Sequence, residues 1–229
     1  MKKVSEEVQY AIDQLIKMKD VVSGMVLLEE IQGTNISENP FRVLISTVLS
    51  VRNKDESTHE ATEMLFNKYS TPDQILSAPL EDIETLIKKS GMYKTKALRI
   101  KQISQILLNE YQGKVPNSYG DLVKLPGVGP KVANCVLVYA FKVPAIPVDT
   151  HVHRISNRVG WVKTKKPEET ELELQKIFPI EYWNDLNWAM VLFGKQICKP
   201  ISPKCIECPI NEGCPKIIIK PEPKKKKTH

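Results

Sequence analysis

Apolar residues recur along most of the chain at a spacing of three or four, which is the period of an amphipathic α-helix. In residues 4–18 this stripe consists of Val4, Val8, Ala11, Ile12, Leu15 and Ile16. In residues 94–111 it consists of Ala97, Ile100, Ile103, Ile106, Leu107 and Tyr111. Further helices are predicted over residues 40–51, 55–69, 72–78, 79–89, 118–124, 130–141, 149–160, 168–178 and 181–193. Because no stretch alternates apolar and polar residues as a strand does, we expect an all-α fold.

The helices are interrupted at residues 143–148 (VPAIPV), where two prolines favour an extended backbone. We expect this segment to pass between two lobes. One lobe comprises residues 33–143, and the other combines residues 1–32 with residues 144–229. The second lobe ends in a basic tail, about residues 217–229, with four successive lysines. Such a tail is typical of a disordered solubilising segment, and phosphate binding is the alternative.

Composition and charge narrow the class of protein only partly. The chain has 229 residues, of which 41% are hydrophobic and 26% charged, and this suits a globular protein with a buried core. Its net charge of +6 suits a polyanionic partner, although many proteins this basic bind no nucleic acid. No apolar run approaches the roughly 20 residues of a transmembrane helix, and the N-terminus lacks a secretory signal. We therefore expect an intracellular, cytoplasmic protein whose five cysteines are thiols or metal ligands rather than disulfides.

The most informative segment is residues 125–131 (LPGVGPK), which lies between an amphipathic stretch and a long apolar helix. Its glycines permit a tight reversal with positive φ and let a ligand approach the backbone closely. Pro130 suits the first position of the next helix, whose unpaired N–H groups carry the positive end of the helix dipole. We expect the main chain of Gly127, Val128 and Gly129 to bind a DNA phosphate there. The alternative is an ordinary corner between two helices.

Lys131 and Asp149 are the candidate catalytic residues. Lys131 lies in the first turn of a helix, where the dipole disfavours a cation and so favours the neutral, nucleophilic amine. A neutral amine forms a Schiff base with a sugar aldehyde. Asp149 directly precedes a helix, and a role as its cap would hold the carboxylate rigidly. The alternatives are a solvated surface lysine and an aspartate that only caps its helix.

The segments LPGVGPKVANCVLVYAF and VDTHVHR, residues 125–141 and 148–154, resemble the endonuclease III family of DNA glycosylases. The resemblance extends from about residue 25 to residue 216, and it implies a two-lobed helix–hairpin–helix DNA glycosylase fold with the active cleft between the lobes. In that family the lysine two residues after the hairpin is the nucleophile, and the aspartate of the VDTH segment is its partner. Lys131 and Asp149 occupy these two positions.

The same resemblance implies a base-excision-repair DNA glycosylase with abasic-site lyase activity. Such an enzyme would act as a monomer on damaged double-stranded DNA, removing oxidised pyrimidines, and would be associated with the nucleoid. One alternative is the same fold acting on mismatched thymine, uracil or alkylated bases. The other is a non-catalytic iron–sulfur protein that binds DNA or transfers electrons, although the presence of Lys131 and Asp149 argues against it.

Four cysteines near the C-terminus have the spacing of a metal site, C-x6-C-x2-C-x5-C: Cys198, Cys205, Cys208 and Cys214. Zinc sites with four cysteines usually show two short-spaced pairs, whereas only one such pair is present here. Thiolate-only ligation equally suits a [4Fe–4S] cluster. The spacing is similar to the cluster loop of the endonuclease III family, which implies a structural [4Fe–4S] cluster. Cys135 stands apart in an apolar helix and is expected in the core.

Two positions depart from the family pattern. The family commonly has glutamine where this chain has Arg52, and leucine where it has Met92. We expect both side chains to enter the gap that a flipped nucleotide leaves in the duplex. Arginine can stack on bases and donate to the orphaned partner base, and methionine keeps an apolar wedge. The alternatives are a surface arginine and a core methionine.

Overall fold

The computed structural model describes residues 5–23 and 39–217, and every regular element within them is helical, which confirms the predicted all-α class. The α-helices are α1 (Glu6–Ser23), α2 (Pro40–Ser50), α3 (Asp55–Lys68), α4 (Pro72–Ser77), α5 (Leu80–Leu86), α6 (Tyr93–Tyr111), α7 (Tyr119–Leu122), α8 (Pro130–Phe141), α9 (Thr150–Arg158), α10 (Pro167–Ile177) and α11 (Trp183–Gln196). Two 3-10 turns cover Ile180–Tyr182 and Cys205–Glu207. Val4 and the lysine tail lie outside the described residues. Within those residues, no helix is both long and apolar enough to cross a membrane.

The helix ends follow local signals in the sequence. Four helices (α2, α4, α8 and α10) have a proline in the first turn, where the missing N–H costs no hydrogen bond. Asn39 caps α2, since its side-chain oxygen accepts from the N–H groups of Phe41 and Arg42 at 3.0 and 3.3 Å. Side chains of Thr71 and Ser118 cap α4 and α7 in the same way.

The N-terminal helix α1 is longer than predicted, because its apolar stripe continues beyond residue 18. Leu15, Met18 and Val22 are fully buried on one face, and this spacing extends the helix to Ser23. The placement of Ile16 on the buried stripe was wrong, since its side chain is 42% exposed. Residue 16 lies a quarter-turn or more beyond the line through residues 11, 15, 18 and 22.

The described residues form two compact units, each with its own buried side chains. Residues 39–147 form the first, which we call the hairpin unit, and residues 5–23 with 148–217 form the second, which we call the cysteine unit. The lobe bounds expected from the sequence, at residues 32/33 and 143/144, stay a prediction. The segment 142–149 that joins the units along the chain is not helical.

In the hairpin unit, α2 packs against α3 and α8, and α6 packs against α4 and α5. The core between them is aliphatic and contains Leu44, Leu49, Leu65, Ile83, Ile100, Ile103 and Val136, among others. The prediction that Cys135 is buried is confirmed, with 3% exposure on α8. This core fixes the start of α8, which carries Lys131, and the start of α6, which directly follows Met92.

In the cysteine unit, α11 packs against both α1 and α9. The three tryptophans are half-buried, because each indole N–H reaches a polar partner near the surface. Trp161 donates to Gln14 at 2.6 Å while its ring meets Phe178 edge-on, with ring centroids 4.9 Å apart. Trp183 donates to the Phe178 carbonyl at 2.8 Å and Trp188 to Asp185 at 3.0 Å.

Candidate active site and cysteine loop

The corner between α7 and α8 forms a tight hairpin at residues 125–129. Its reversal is closed by a hydrogen bond of 3.1 Å from the Val128 N–H to the Leu125 carbonyl. Gly127 has a φ of +79°, a conformation that only glycine adopts without strain. Gly129 has φ −94° and ψ −178°, which is extended backbone. Positive φ was expected at both glycines and is wrong for Gly129, since one left-handed residue suffices to reverse the chain.

The start of α8 offers N–H groups with no partner inside the helix. Gly129 is the cap residue and has no side chain that could bind them, and Pro130 has no N–H to satisfy. The amides of Lys131 and Val132 therefore carry the positive end of the dipole. The Val128 side chain is buried, with 5% exposure, so this residue can present only its main chain to a ligand. The geometry suits an anion held by backbone amides.

Arg99, which sequence reasoning missed, lies directly beside the hairpin. A Cβ built on Gly127 would be 2.7 Å from Cδ of Arg99 and 3.3 Å from its Nη1. Arg99 is half-buried on α6, so its guanidinium adds a cation next to the amides of the hairpin. No local signal could have revealed this residue, because 28 positions separate it from Gly127 and only the packing of α6 brings them together.

Gly127→Ala is expected to lower the free energy of unfolding by about 1–2 kcal/mol, because it places a Cβ at positive φ and against Arg99. The matched control is Gly129→Ala. There the backbone is ordinary and a methyl meets no described atom within 4 Å beyond its chain neighbours, so the change should stay below about 0.5 kcal/mol. Urea unfolding of both variants measures the difference. Equal losses would contradict the assignment of the reversal to Gly127.

The two candidate catalytic residues lie at helix starts in different units. Lys131 is half-buried in the first turn of α8, in the hairpin unit. Asp149 caps α9, in the cysteine unit, and its Oδ1 accepts from the N–H groups of His151 and Val152 at 2.8 and 2.9 Å. Both bonds use the same oxygen, so Oδ2 takes no part in the cap.

The four cysteines expected to bind a metal line a single cavity of about 210 Å³ after α11. Cys198 is buried, and Cys205, Cys208 and Cys214 are half-buried. Burial raises the pKa of Cys208 and Cys214, so a metal would have to displace their protons. Among the described residues, no three His, Cys, Asp or Glu side chains meet in the arrangement that holds a single metal ion.

Other residues around this cavity fit an anionic group bound to sulfur. Its walls are apolar at Phe193, Ile197 and Ile210 and cationic at Arg158, Lys204 and Lys216. Sequence reasoning missed Arg158, which is 7% exposed and lies on the helix capped by Asp149. Its Nη1 donates to Sγ of Cys198 at 3.3 Å and to the Lys199 carbonyl at 2.8 Å. A donor aimed at a ligand sulfur favours the thiolate form.

Comparison with known proteins assigns the chain to a family. The model of the HhH-GPD superfamily of base excision DNA repair proteins matches residues 45–180. Endonuclease III of Thermotoga maritima is 56% identical over 77% of this chain and 83% of that protein, and endonuclease III of Bacillus subtilis is 41% identical over 78% and 82%. A solved trapped endonuclease III–DNA covalent intermediate, an estranged-adenine complex, aligns with a TM-score of 0.81 at 37% identity, covering 91% of this chain and 96% of that one. This chain belongs to the endonuclease III family.

Membership of the endonuclease III family confirms two predictions made from the sequence. The fold is that of a helix–hairpin–helix DNA glycosylase. The enzyme class is that of a base-excision DNA glycosylase with abasic-site lyase activity.

Two loops of this endonuclease III-family chain carry the residues expected to enter the DNA. We call residues 51–54 the Arg52 loop and residues 90–92 the Met92 loop. Arg52 and Met92 both have left-handed backbones, with φ of +54° and +59°, and each costs about 1 kcal/mol of strain. Arg52 is exposed, and Met92 is 47% exposed, so a core role for this methionine is excluded. Strained, exposed residues of this kind cluster at functional sites.

Proposed function

We propose that this endonuclease III-family enzyme removes oxidised pyrimidines from double-stranded DNA with Lys131 as the nucleophile and Asp149 as its partner. The observation that carries the proposal is the position of Lys131. It is a half-buried amine in the first helical turn after a glycine hairpin whose amides are open to a phosphate. A phosphate held there would bring the DNA backbone close to the amine. The trapped covalent endonuclease III–DNA intermediate supports a covalent mechanism.

The reaction follows from the chemistry of a neutral amine at a sugar carbon. Nζ of Lys131 attacks C1′ of the flipped nucleotide, and the bond from C1′ to the damaged base breaks. The base leaves with the electron pair of that bond and takes up a proton from water. The amine loses a proton, O4′ of the opening ring takes one up, and a Schiff base joins Nζ to C1′. This electron sink permits loss of a C2′ proton and departure of the 3′ phosphate, which nicks the strand. Water then hydrolyses the Schiff base and frees the lysine.

Asp149 assists the nucleophile in this proposal. Its carboxylate accepts the proton that Lys131 loses and stabilises the positive charge that develops on the sugar. The cap on α9 supports the role, because it fixes the carboxylate through Oδ1 and keeps Oδ2 outside the cap. Capping and catalysis therefore use different atoms of one side chain, and substitutions can separate them.

Asp149→Asn is expected to reduce turnover by roughly 10²- to 10⁴-fold, because asparagine lacks the charge and basicity of the carboxylate. Asparagine caps helices as well as aspartate does, so the melting temperature should not change. Asp149→Ala should lose the same activity and, in addition, about 1 kcal/mol of stability from the lost cap. Single-turnover cleavage and thermal unfolding of both variants measure the two effects. An Asn variant as active as wild type would exclude a catalytic role.

We further propose that Cys198, Cys205, Cys208 and Cys214 bind a structural [4Fe–4S] cluster. A cavity of about 210 Å³ is larger than a single zinc ion needs, since its sulfur ligands lie at about 2.3 Å. The donor from Arg158 to Cys198 supports the same assignment, because hydrogen bonds to ligand sulfurs are typical of such clusters. When bound, the cluster would hold the segment from Cys198 to Cys214 together, including Lys199 and Lys204, which we assign to the DNA backbone.

Backbone amides of the hairpin and two loop side chains hold the DNA. The main chain of Gly127, Val128 and Gly129 binds a phosphate, and Arg52 and Met92 fill the gap in the duplex. Solved endonuclease III structures in complex with DNA support DNA as the partner, and we propose that this DNA is double-stranded. The enzyme acts on it as a monomer, inside the cell and associated with the nucleoid.

Borohydride trapping tests the function directly. The protein is incubated with a duplex that contains one thymine glycol, and separately with an abasic duplex, and is then reduced. We expect a covalent adduct with both, because excision creates the aldehyde that the abasic duplex already contains. An adduct with the abasic duplex alone would keep the lyase and exclude oxidised pyrimidines as substrates, in favour of mismatched or alkylated bases. No adduct with either would exclude the lysine mechanism.

A further inference from the structure

Lys96 is a buried cation that the proposed reaction does not use. It lies in the first turns of α6 with 1% of its surface exposed, and it is among the largest fully buried side chains of the described residues. Within the described residues no carboxylate forms an ion pair with it. Burial lowers the pKa of Lys96 to about 8, with a smaller contribution from the charge of Arg99. Burying an ammonium without a carboxylate partner costs free energy, so its hydrogen bonds must offset the loss of hydration.

The ammonium joins the end of α2, just before the Arg52 loop, to Ser90, the first residue of the Met92 loop. Its Nζ donates to the Leu49 carbonyl at 2.7 Å and to Oγ of Ser90 at 2.8 Å. The Ser90 hydroxyl donates to the same Leu49 carbonyl at 3.0 Å. Leu49 lies three positions before Arg52, and Ser90 lies two positions before Met92. A triangle of hydrogen bonds therefore connects the bases of the Arg52 loop and the Met92 loop.

The Leu49 carbonyl needs these donors because α2 ends there. In a continuing helix the N–H of residue 53 would bond to it, but the Asn53 N–H bonds to the Ser50 carbonyl instead, at 3.1 Å. A carbonyl at a helix C-terminus carries the negative end of the dipole, so a cation is the favoured partner. Lys96 thus caps α2 at the point where the chain turns into the Arg52 loop.

The main chain extends the connection to both loops. The N–H of Lys96 bonds to the Met92 carbonyl at 3.0 Å, so the residue holds the Met92 loop through its backbone and the end of α2 through its side chain. The Gly91 N–H points to Oδ1 of Asn53 at 3.5 Å, and a Cβ on Gly91 would lie 3.5 Å from the Arg52 carbonyl. The two loops are therefore in contact, with Lys96 beneath them.

We propose that Lys96 is a positioning residue for base extrusion, which fixes the Arg52 loop and the Met92 loop relative to each other so that both side chains enter the duplex together. The inference rests on the proposed function, in which Arg52 and Met92 fill the gap left by the flipped nucleotide. The left-handed backbones of Arg52 and Met92 support it, since such conformations persist only where surrounding contacts hold them. Lys96 supplies those contacts from inside the hairpin unit.

The test compares Lys96→Met with Lys101→Met on two substrates. Methionine keeps about the same side-chain length as lysine and removes the N–H donors of the ammonium. Lys101 is the matched control, because it also donates to a backbone carbonyl from α6, that of Ala78, but away from the two loops. We measure single-turnover excision of thymine glycol and strand cleavage of a preformed abasic duplex, together with melting temperatures. Fluorescence of 2-aminopurine next to the lesion reports extrusion.

Lys96→Met is expected to slow excision about 10²-fold, the effect of misplacing a group by about 1 Å, and to reduce the fluorescence change equally. Cleavage of the abasic duplex should fall by no more than about threefold, because no base has to be unstacked there. Lys101→Met should match wild type on both substrates. Ser90→Ala removes only one hydroxyl, so it should slow excision by a smaller factor than Lys96→Met does. This variant provides the test if Lys96→Met does not fold.

Three results would overturn the positioning role. The first is equal loss by Lys96→Met on both substrates, and the second is an excision defect in Lys101→Met as large as that in Lys96→Met. The third is excision by Lys96→Met at the wild-type rate. Failure of the proposed function gives a different result, because wild type itself would then not excise thymine glycol, whether or not it cleaved the abasic duplex.

Discussion

Lys131→Gln is expected to abolish borohydride trapping and to reduce strand cleavage by roughly 10⁴-fold or more, as removal of a covalent nucleophile does. Glutamine keeps much of the side-chain length and its hydrogen bonding, but its amide cannot form a Schiff base. DNA affinity should fall by no more than about tenfold, since the variant loses one cation while the amides of the hairpin remain. Trapping with an abasic duplex, cleavage of the same duplex and a titration with labelled DNA measure the three quantities.

The control for this variant is Lys142→Gln at the other end of α8. Lys142 is exposed, and among the described residues its ammonium donates to the Tyr139 carbonyl of the same helix that it caps. Its loss should therefore leave trapping and cleavage unchanged. Strand cleavage by Lys131→Gln at the wild-type rate would show that another group is the nucleophile. Loss of DNA binding together with cleavage would mean that Lys131 serves mainly to bind phosphate.

The second large effect is expected from Cys208→Ala in the cysteine unit. Removing one of four ligands should release the proposed cluster, so that bound iron and its visible absorbance are lost. Binding of a structural metal is coupled to folding, and we expect a loss of about 4 kcal/mol. For a chain of this size that corresponds to a decrease of roughly 8–16 °C in melting temperature. Iron analysis of purified protein and thermal unfolding check both parts.

Cys135→Ala is the matched control, because this buried cysteine lies on α8 in the hairpin unit rather than in the cysteine loop. It should keep its full iron content and lose only about 1 kcal/mol from the small cavity. Zinc in place of iron in the wild-type protein would select the four-cysteine zinc site instead. Retention of iron and stability in Cys208→Ala would exclude this cysteine as a ligand.

The helices were predictable because their signals are local. The buried stripe of α6 and the prolines that open α2, α4 and α8 act within one or two turns. The hairpin glycine and the cap at Asp149 are local in the same sense, because both are set by the backbone of a few neighbouring residues. The C-terminal ends of the helices lie within three residues of the predicted ones except in α1, where the helix runs five residues further than predicted.

Lys96 is an example of a residue whose contacts could not be predicted from the local sequence. Residues 96, 100, 103 and 107 share one face, so the spacing already placed this lysine on the apolar stripe of α6. Because lysine is usually exposed, this position was not recognised as buried from the sequence. Its partners come from the end of α2 and from Ser90, 47 and 6 positions away, and only packing brings them to the ammonium.

The sequence by itself determined the class of fold, the enzyme family, the nucleophile candidate and the four cysteines, because each depends on residue type and spacing within one segment. Tertiary structure alone decided that Arg99 lies beside Gly127, that Arg158 donates to Cys198, that Met92 is exposed, and that Lys96 joins two loops. These contacts join residues distant in sequence. They form where side chains from different helices fill one space, and that space exists only once the helices have packed.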